Sequence, residues 1–148
     1  MSSQALSLIE GESDLIANMA NISALIKENL GFHWVGFYLV KEGELVLGPF
    51  QGPVACTRIT HGKGVCGTAW AEARTIVVDD VENFPGHIAC SALSRSEIVV
   101  PMKNENGVVV AVLDIDSSEI ADLSSTDQTY LERIVGYLMN KERELNAS

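Results

Sequence analysis

Hydrophobic residues recur at helical spacing near both ends of the chain. Over residues 13–27 they fall three or four positions apart, with Asp14 near the start and Gly31 just beyond, which predicts an amphipathic helix. Near the carboxyl end, Ser125 and Gln128 have the spacing of a capping box, and apolar residues follow on one helical face. We therefore expect a helix at each end of the domain.

Between these helices the pattern changes to short runs rich in β-branched and aromatic residues, which predict strands. Residues 41–43 and 104–107 are polar and end in glycine, so each is expected to close an antiparallel hairpin. Residues 64–73 favour a short helix, whereas proline and glycine break residues 80–93 into an irregular segment. The predicted strands are residues 33–40, 44–47, 75–78, 97–100 and 108–115. This order is typical of an α+β protein in which helices cover one antiparallel sheet.

Length and composition indicate how many domains the chain forms and where the protein is located. The chain has 148 residues and is 47% hydrophobic, which suits a single domain over residues 1–148. The first residues lack a basic start followed by an apolar run, and no stretch approaches the roughly 20 apolar residues that cross a bilayer. We therefore expect a cytoplasmic protein.

The net charge of the chain limits its partners. A formal net charge of −10 repels phosphate backbones and anionic lipids, so nucleic acid and membrane are not expected as partners.

The chain contains three cysteines, Cys56, Cys66 and Cys90. An odd number does not suit a framework of structural disulfides, and cytosolic thiols are kept reduced. Three interpretations remain open: the thiols perform chemistry, hold a metal ion, or are buried and inert. Inert cysteines usually lie in regular elements, whereas two of these lie in segments rich in glycine or broken by proline. His87 and Arg95 are the basic residues that could stabilise a thiolate at Cys90.

A zinc site is a competing interpretation, because cysteine and histidine supply its usual ligands. Structural zinc sites usually present pairs of cysteines two to four residues apart, and here the closest cysteines are ten positions apart. We therefore expect no metal. The candidate ligands under that rejected interpretation are Cys56, His61, Cys66, His87 and Cys90.

Three acidic residues lie on predicted strands. Asp114 and Asp116 end the apolar run VVVAVLDID, and their spacing directs both side chains to one face of a sheet. Two neighbouring acids repel, so burial would raise the pKa of at least one of them and keep it protonated. Glu97 opens another apolar strand. These acids are candidates for proton donation or for binding a cationic group.

Two aromatic residues are the remaining candidates. Trp34 and Tyr38 lie four positions apart in HWVGFYLV, so on a strand they face the same side. Gly36 between them is expected to leave room on that face for a small apolar ligand. The residues alone indicate a pocket in which a thiol lies near acids and aromatic rings.

Five segments carry a resemblance to a known family: HWVGFYL, LVLGPFQGPVACTRI, GKGVCGTAW, FPGHIACSALSRSEIVVP and VLDIDS. Over about residues 32–116 the chain resembles the free methionine-(R)-sulfoxide reductases, which are small stand-alone GAF-type domains. Sensory GAF domains do not share three cysteines at these spacings. The resemblance implies an α+β GAF-type fold, with a central antiparallel sheet of about six strands flanked by helices from both termini.

The resemblance also implies a role for each cysteine. Cys90 matches the catalytic cysteine of the family, and Cys56 matches the resolving cysteine. Cys66 matches a third cysteine that assists or relays the disulfide. Cys90 is thereby expected to attack the sulfur atom of a sulfoxide and to become a sulfenic acid, which Cys56 converts to a disulfide.

The remaining site residues acquire roles in the same way. Trp34 and Tyr38 match aromatic residues that enclose the methyl-sulfoxide end of the substrate. Glu97, Asp114 and Asp116 match acids that bind its ammonium group and help to activate the sulfoxide oxygen.

The implied activity is reduction of free L-methionine (R)-S-oxide, with thioredoxin as the reductant and with no metal or organic cofactor. The fold class also admits a homodimer, which rests on analogy of fold alone. The alternative function is that of a GAF domain that senses a small molecule without converting it. The absence of an output domain within 148 residues argues against that alternative.

Overall fold

The computed structural model describes residues 2–87 and 93–147. Its elements are the helices α1 (Ser2–Glu10), α2 (Leu15–Leu30), α3 (Gly64–Glu72) and α4 (Ser125–Ala147), a 3-10 helix (Val81–Asn83), and the strands β1 (Trp34–Lys41), β2 (Glu44–Gln51), β3 (Arg58–Thr60), β4 (Ile76–Val78), β5 (Ser96–Lys103) and β6 (Val109–Ser117).

The six strands form one antiparallel sheet in the order β3-β2-β1-β6-β5-β4. The hairpins predicted at residues 41–43 and 104–107 join β1 to β2 and β5 to β6. In the first hairpin Glu42 and Gly43 both have positive φ, 50° and 84°, as a tight turn between twisted strands requires. The predicted α+β class with about six antiparallel strands is confirmed.

The two faces of the sheet carry separate layers. Alternate residues of β1, such as Val35 and Phe37, pack with α1, α2 and α4 in a large apolar core. The opposite face carries Trp34 and Tyr38 and packs against α3, around Val65 and Cys66. Since successive strand residues point to opposite faces, one strand contributes side chains to both layers. The layer between the sheet and α3 positions the candidate site.

Several predicted elements have different limits in the structure. The helix predicted over residues 13–27 is α2, which Asp14 caps by accepting from the Ala17 amide at 2.8 Å. Gly31 ends it with φ of 66°. Strand β2 extends to Gln51 although it contains glycine and proline. The sequence analysis missed α1, which buries only Ala5 and Ile9, and the three-residue strand β3.

The capping box of α4 lies one residue earlier than predicted. The Ser124 amide donates to Asp127 Oδ2 at 2.9 Å, and the Asp127 amide donates to Ser124 Oγ at 3.2 Å. The predicted pairing of Ser125 with Gln128 was therefore wrong, because Ser125 is already the first residue of the helix. Aspartate accepts the amide of the cap residue here as glutamate or glutamine does in the usual motif.

Within the part of the chain that is described, no helix has both the length and the apolar character needed to cross a membrane.

The cap position gives a direct test of the local fold. We expect Ser124→Ala to lower the free energy of unfolding by about 0.5–2 kcal/mol, because an orphan amide of α4 loses its acceptor. Ser125→Ala is the matched control and should change it by less than about 0.5 kcal/mol. Urea unfolding followed by circular dichroism measures both values. Equal losses in the two variants would contradict the assigned cap.

Candidate active site

Strand register brings the three acids together on the face that packs against α3. Glu97 on β5 lies opposite Asp116 on β6, and Asp116 lies opposite Trp34 on β1. Asp114, two residues before Asp116, lies opposite Gly36. The prediction that Asp114 and Asp116 share a face is confirmed, and a third carboxyl group from the neighbouring strand joins them.

A pocket opens above these residues. The sheet contributes Trp34, Tyr38 and the three acids, and the segment after β2 contributes Val54 and Ala55. The residues around the start of α3 form another wall of the pocket, namely Lys63, Gly64, Val65 and Cys66. Three residues from other parts of the chain complete the lining, namely Ile59, His87 and Ser94.

Burial sets the protonation of the acids. Glu97 and Asp114 are 6% and 5% exposed. Loss of hydration raises the pKa of Glu97 well above its usual range, and the charges of Asp114 and Asp116 raise it further. Burial and the charge of Asp114 likewise raise the pKa of Asp116 well above its usual range. Glu97 and Asp116 therefore hold their protons to a higher pH than solvated carboxyl groups do.

Asp114 differs from its two neighbours. Burial raises its pKa, but hydrogen bonds with Glu97, Cys66 and Asp116 act in the opposite direction. These hydrogen bonds partly offset the effect of burial on Asp114 and favour its ionised form. Among the described residues its Oδ1 atom is buried and has no hydrogen-bond partner. A buried carboxylate oxygen in this state is an acceptor for a donor group on a ligand.

Cys66 lies against the same cluster. Its thiol is 4% exposed, and its Sγ atom lies 4.0 Å from Glu97 Oε2, to which it donates. Burial raises the pKa of the Cys66 thiol well above its ordinary value, and the charges of Asp114 and Glu97 add to the effect. A thiol in such surroundings stays neutral and is a poor nucleophile.

The aromatic residues form a stack that extends beyond the predicted pair. Trp34 stacks on Tyr38 with ring centroids 6.0 Å apart and on Phe50 at 5.2 Å. The expectation that Gly36 leaves room for a ligand was wrong. A Cβ atom there would lie 2.3 Å from the Phe50 Cβ atom and 2.6 Å from Trp34 Cη2, so the absent side chain makes room for these rings.

Both pocket rings also bond to the segment between β2 and β3. Trp34 Nε1 donates to the Pro53 carbonyl at 3.0 Å, and Tyr38 Oη donates to the Cys56 carbonyl at 2.8 Å. Burial raises the pKa of the Tyr38 hydroxyl, so it remains a donor. This segment carries Cys56, which is half-buried and disulfide-bonded, whereas Cys66 is free. Cys90 lies outside the described residues.

The zinc ligands that the sequence analysis considered and rejected form no cluster of three among residues 2–87 and 93–147, and Cys90 lies outside these residues. The one group of metal-binding side chains found there with donor atoms within 4.8 Å of one another is Cys66, Glu97 and Asp114. His61 instead packs edge-on against Trp70, with ring centroids 4.5 Å apart.

The sequence analysis missed two features of the pocket. Phe50 extends the aromatic stack, and Lys63 with the first turn of α3 forms a wall. The segment Gly62-Lys63-Gly64 before an apolar run was the available signal for that wall. Arg95 is exposed and is absent from the lining, and its amide donates to the Ser117 carbonyl at 2.7 Å.

Comparisons with known proteins agree with this geometry. Residues 14–140 match the GAF domain family. A GAF domain-containing protein A from Dictyostelium discoideum is 55% identical over 134 residues, which are 90% of this chain and 84% of that protein. The free methionine-R-sulfoxide reductase of Escherichia coli (strain K12) is 47% identical over 132 residues, which cover 88% and 79% of the two chains.

A solved structure is similar over nearly the whole chain. It is the free methionine-R-sulfoxide reductase from Neisseria meningitidis in complex with its substrate, and it superposes with a TM-score of 0.94 at 50% identity. The match covers 99% of this chain and 89% of that one.

The buried acids predict how stability depends on pH. The pKa of Glu97 is higher in the folded than in the unfolded state, so the folded state binds more protons and its stability falls as the pH rises. We expect Glu97→Gln to lose less unfolding free energy between about pH 5 and about pH 8 than the unsubstituted protein loses. Urea unfolding at both pH values measures the two differences.

The matched control is Glu105→Gln, on the exposed turn between β5 and β6. It should leave the pH dependence of unfolding as it is in the unsubstituted protein. If Glu97→Gln behaved like this control, Glu97 would not be a proton-retaining acid of the cluster.

Proposed function

Since this chain belongs to the GAF domain family, and within it to the free methionine-R-sulfoxide reductases, we propose that it reduces free L-methionine (R)-S-oxide to L-methionine. The observation that carries the proposal is the cluster of Glu97, Asp114 and Asp116 beside the aromatic wall of the pocket. A sulfoxide resists attack by a thiolate unless an acid protonates or hydrogen-bonds its oxygen. Acids whose pKa is raised by burial can do so at neutral pH.

The three acids divide into two roles in this proposal. Glu97 and Asp116 hold protons and donate to the sulfoxide oxygen. Asp114 ionises first and accepts the ammonium group of the substrate at its unpartnered Oδ1 atom. Burial of an ammonium group is costly unless a carboxylate pairs with it, which supports a free amino acid as the substrate.

The substrate carboxylate requires a partner of opposite charge. We place it against Lys63 and the amides at the start of α3, which line the pocket. The amino terminus of a helix favours an anion, because its first amides lack partners within the helix. Arg95 is exposed and does not line the pocket, so it is not placed in this role.

The reaction begins at Cys90. Its thiolate attacks the sulfoxide sulfur while a carboxylic acid of the cluster gives its proton to the oxygen, which forms an S–S bond between Cys90 and the substrate. The hydroxyl group then moves from the substrate sulfur to the Cys90 sulfur, the substrate S–O bond and the S–S bond break, and methionine leaves. Cys90 is left as a sulfenic acid. Two electrons thus pass from the Cys90 sulfur to the sulfoxide, and the acid recovers its proton from solvent.

Cys56 then restores the enzyme together with an external dithiol. The Cys56 thiolate attacks the sulfenic sulfur, an S–S bond forms, and the oxygen leaves as water. Thioredoxin, in a reducing cytoplasm, reduces this disulfide by thiol exchange. The disulfide-bonded state of Cys56 and the neutral buried thiol of Cys66 support Cys56 as the resolving residue.

Turnover of the two sulfoxide epimers tests the function. The purified protein should release methionine from free (R)-sulfoxide in the presence of thioredoxin, thioredoxin reductase and NADPH, and should leave the (S)-epimer unreduced. NADPH oxidation and amino-acid chromatography measure the reaction. A GAF domain that only senses a ligand would bind sulfoxide and oxidise no NADPH.

Cysteine variants assign the steps within the same assay. Cys90→Ser should abolish methionine release, because the nucleophile is lost. Cys56→Ser should release about one methionine per enzyme and then stop with thioredoxin, because no disulfide forms for exchange. Full multiple turnover by either variant would reject the corresponding role.

The role of Asp114 predicts a change in substrate preference. We expect Asp114→Asn to lower kcat/KM for free methionine (R)-sulfoxide by at least about tenfold, because the ammonium group loses a charged hydrogen-bond partner. The N-acetylated sulfoxide lacks that ammonium and should lose less. The ratio of kcat/KM for the two substrates is the measured quantity.

Asp79→Asn is the matched control, since Asp79 is exposed and lies outside the pocket. Its ratio of kcat/KM for the free sulfoxide to kcat/KM for the N-acetylated sulfoxide should equal that of the unsubstituted enzyme. An unchanged ratio in Asp114→Asn would show that another group binds the ammonium.

A further inference from the structure

The segment between β2 and β3, residues 52–57, is here termed the Cys56 loop. It has no regular secondary structure, and it exposes Val54 at 89%. Two of its carbonyl groups accept hydrogen bonds from the aromatic residues of the pocket. Trp34 Nε1 donates to Pro53, and Tyr38 Oη donates to Cys56 itself. The residues that line the substrate pocket therefore also bind the loop that carries the proposed resolving thiol.

The donor to Cys56 is held firmly. Tyr38 is 2% exposed, and its ring stacks on Trp34, which in turn stacks on Phe50. An aromatic side chain has few rotatable bonds, so burial and stacking on Trp34 restrict the position of its hydroxyl. The acceptor is the main-chain carbonyl of Cys56, one bond from the Cα atom that carries the thiol. Fixing this carbonyl restricts where the Cys56 sulfur can lie.

The hydrogen bond is present while Cys56 is disulfide-bonded. It therefore belongs to the loop arrangement of the oxidised enzyme. Any interaction that is stronger in one state than in another shifts the equilibrium toward the first state. We expect this bond to be weaker when both thiols are free, so that the Tyr38 donor favours the disulfide.

We propose that the Tyr38 hydroxyl is a positioning residue for Cys56, which directs the resolving thiol to the oxidised catalytic cysteine. The inference rests on the proposed function, in which Cys56 attacks the sulfenic sulfur of Cys90. In that step an S–S bond forms, the S–O bond breaks, and the oxygen leaves with a proton as water. Tyr38 donates no proton to the reacting atoms; it acts through the main chain of the loop.

Tyr38→Phe removes the hydroxyl and keeps the ring. In a single turnover with free methionine (R)-sulfoxide, methionine release reports the attack by Cys90, and loss of two titratable thiols reports the disulfide. We expect the ratio of the second rate constant to the first to fall about three- to tenfold, the effect of one neutral hydrogen bond. A purely structural role would lower stability without changing this ratio.

Equilibration with reduced and oxidised glutathione provides a measurement that needs no sulfoxide. This equilibrium gives the effective concentration of the two thiols that form the Cys56 disulfide. In Tyr38→Phe that effective concentration should fall by the same factor of about three to ten. An unchanged ratio in the first experiment, or an unchanged effective concentration here, would overturn the proposal. If the unsubstituted enzyme released no methionine, the proposed function would fail while this titration still tested the role of Tyr38.

Tyr130→Phe is the matched control. Tyr130 lies on α4 and, among the described residues, its buried hydroxyl has no hydrogen-bond partner. The same chemical change there should leave both measurements as they are in the unsubstituted protein. An equal shift in Tyr130→Phe would also overturn the assignment to Tyr38.

Discussion

The burial of three carboxyl groups on one face of the sheet is the constraint on which the site depends. Glu97, Asp114 and Asp116 repel one another, and an ionised carboxylate without a partner costs several kcal/mol to bury. Burial raises the pKa of Glu97 and of Asp116, so these groups hold protons to a higher pH and the cost of burying charge falls. The large apolar core on the opposite face stabilises the same strands. The fold can therefore hold an acid cluster that would be unfavourable in isolation.

The aromatic residues join the pocket to the Cys56 loop. Trp34 and Tyr38 line the same pocket as the three acids, and each donates a hydrogen bond to the Cys56 loop. Phe50, from the strand that leads into that loop, stacks on Trp34. The aromatic wall of the pocket and the position of the loop therefore depend on the same rings.

The sequence predicted those features that depend on local spacing. The shared face of Asp114 and Asp116, and of Trp34 and Tyr38, follows from the alternation of residues along a strand. The pairing of Glu97 with Asp116 depends instead on the register of β5 against β6, which no local spacing reveals. The position of Gly36 against Phe50 likewise depends on packing between strands. The family resemblance supplied the expected roles of the cysteines, whereas the contact between Cys66 and Glu97 required the structure.

The acid cluster also explains why the three thiols must differ. A nucleophilic cysteine needs its thiolate stabilised, whereas burial and neighbouring acidic charge destabilise a thiolate. Cys66 lies in contact with Glu97, and burial, together with the charge of Asp114, raises the pKa of its thiol. Under the proposed function, the nucleophile therefore comes from a segment that bears none of these acids. In the sequence, Cys90 belongs to the connection between the 3-10 helix and β5. The proposal thus separates the acid, which acts on the sulfoxide oxygen, from the thiolate, which acts on the sulfur of the same S–O bond.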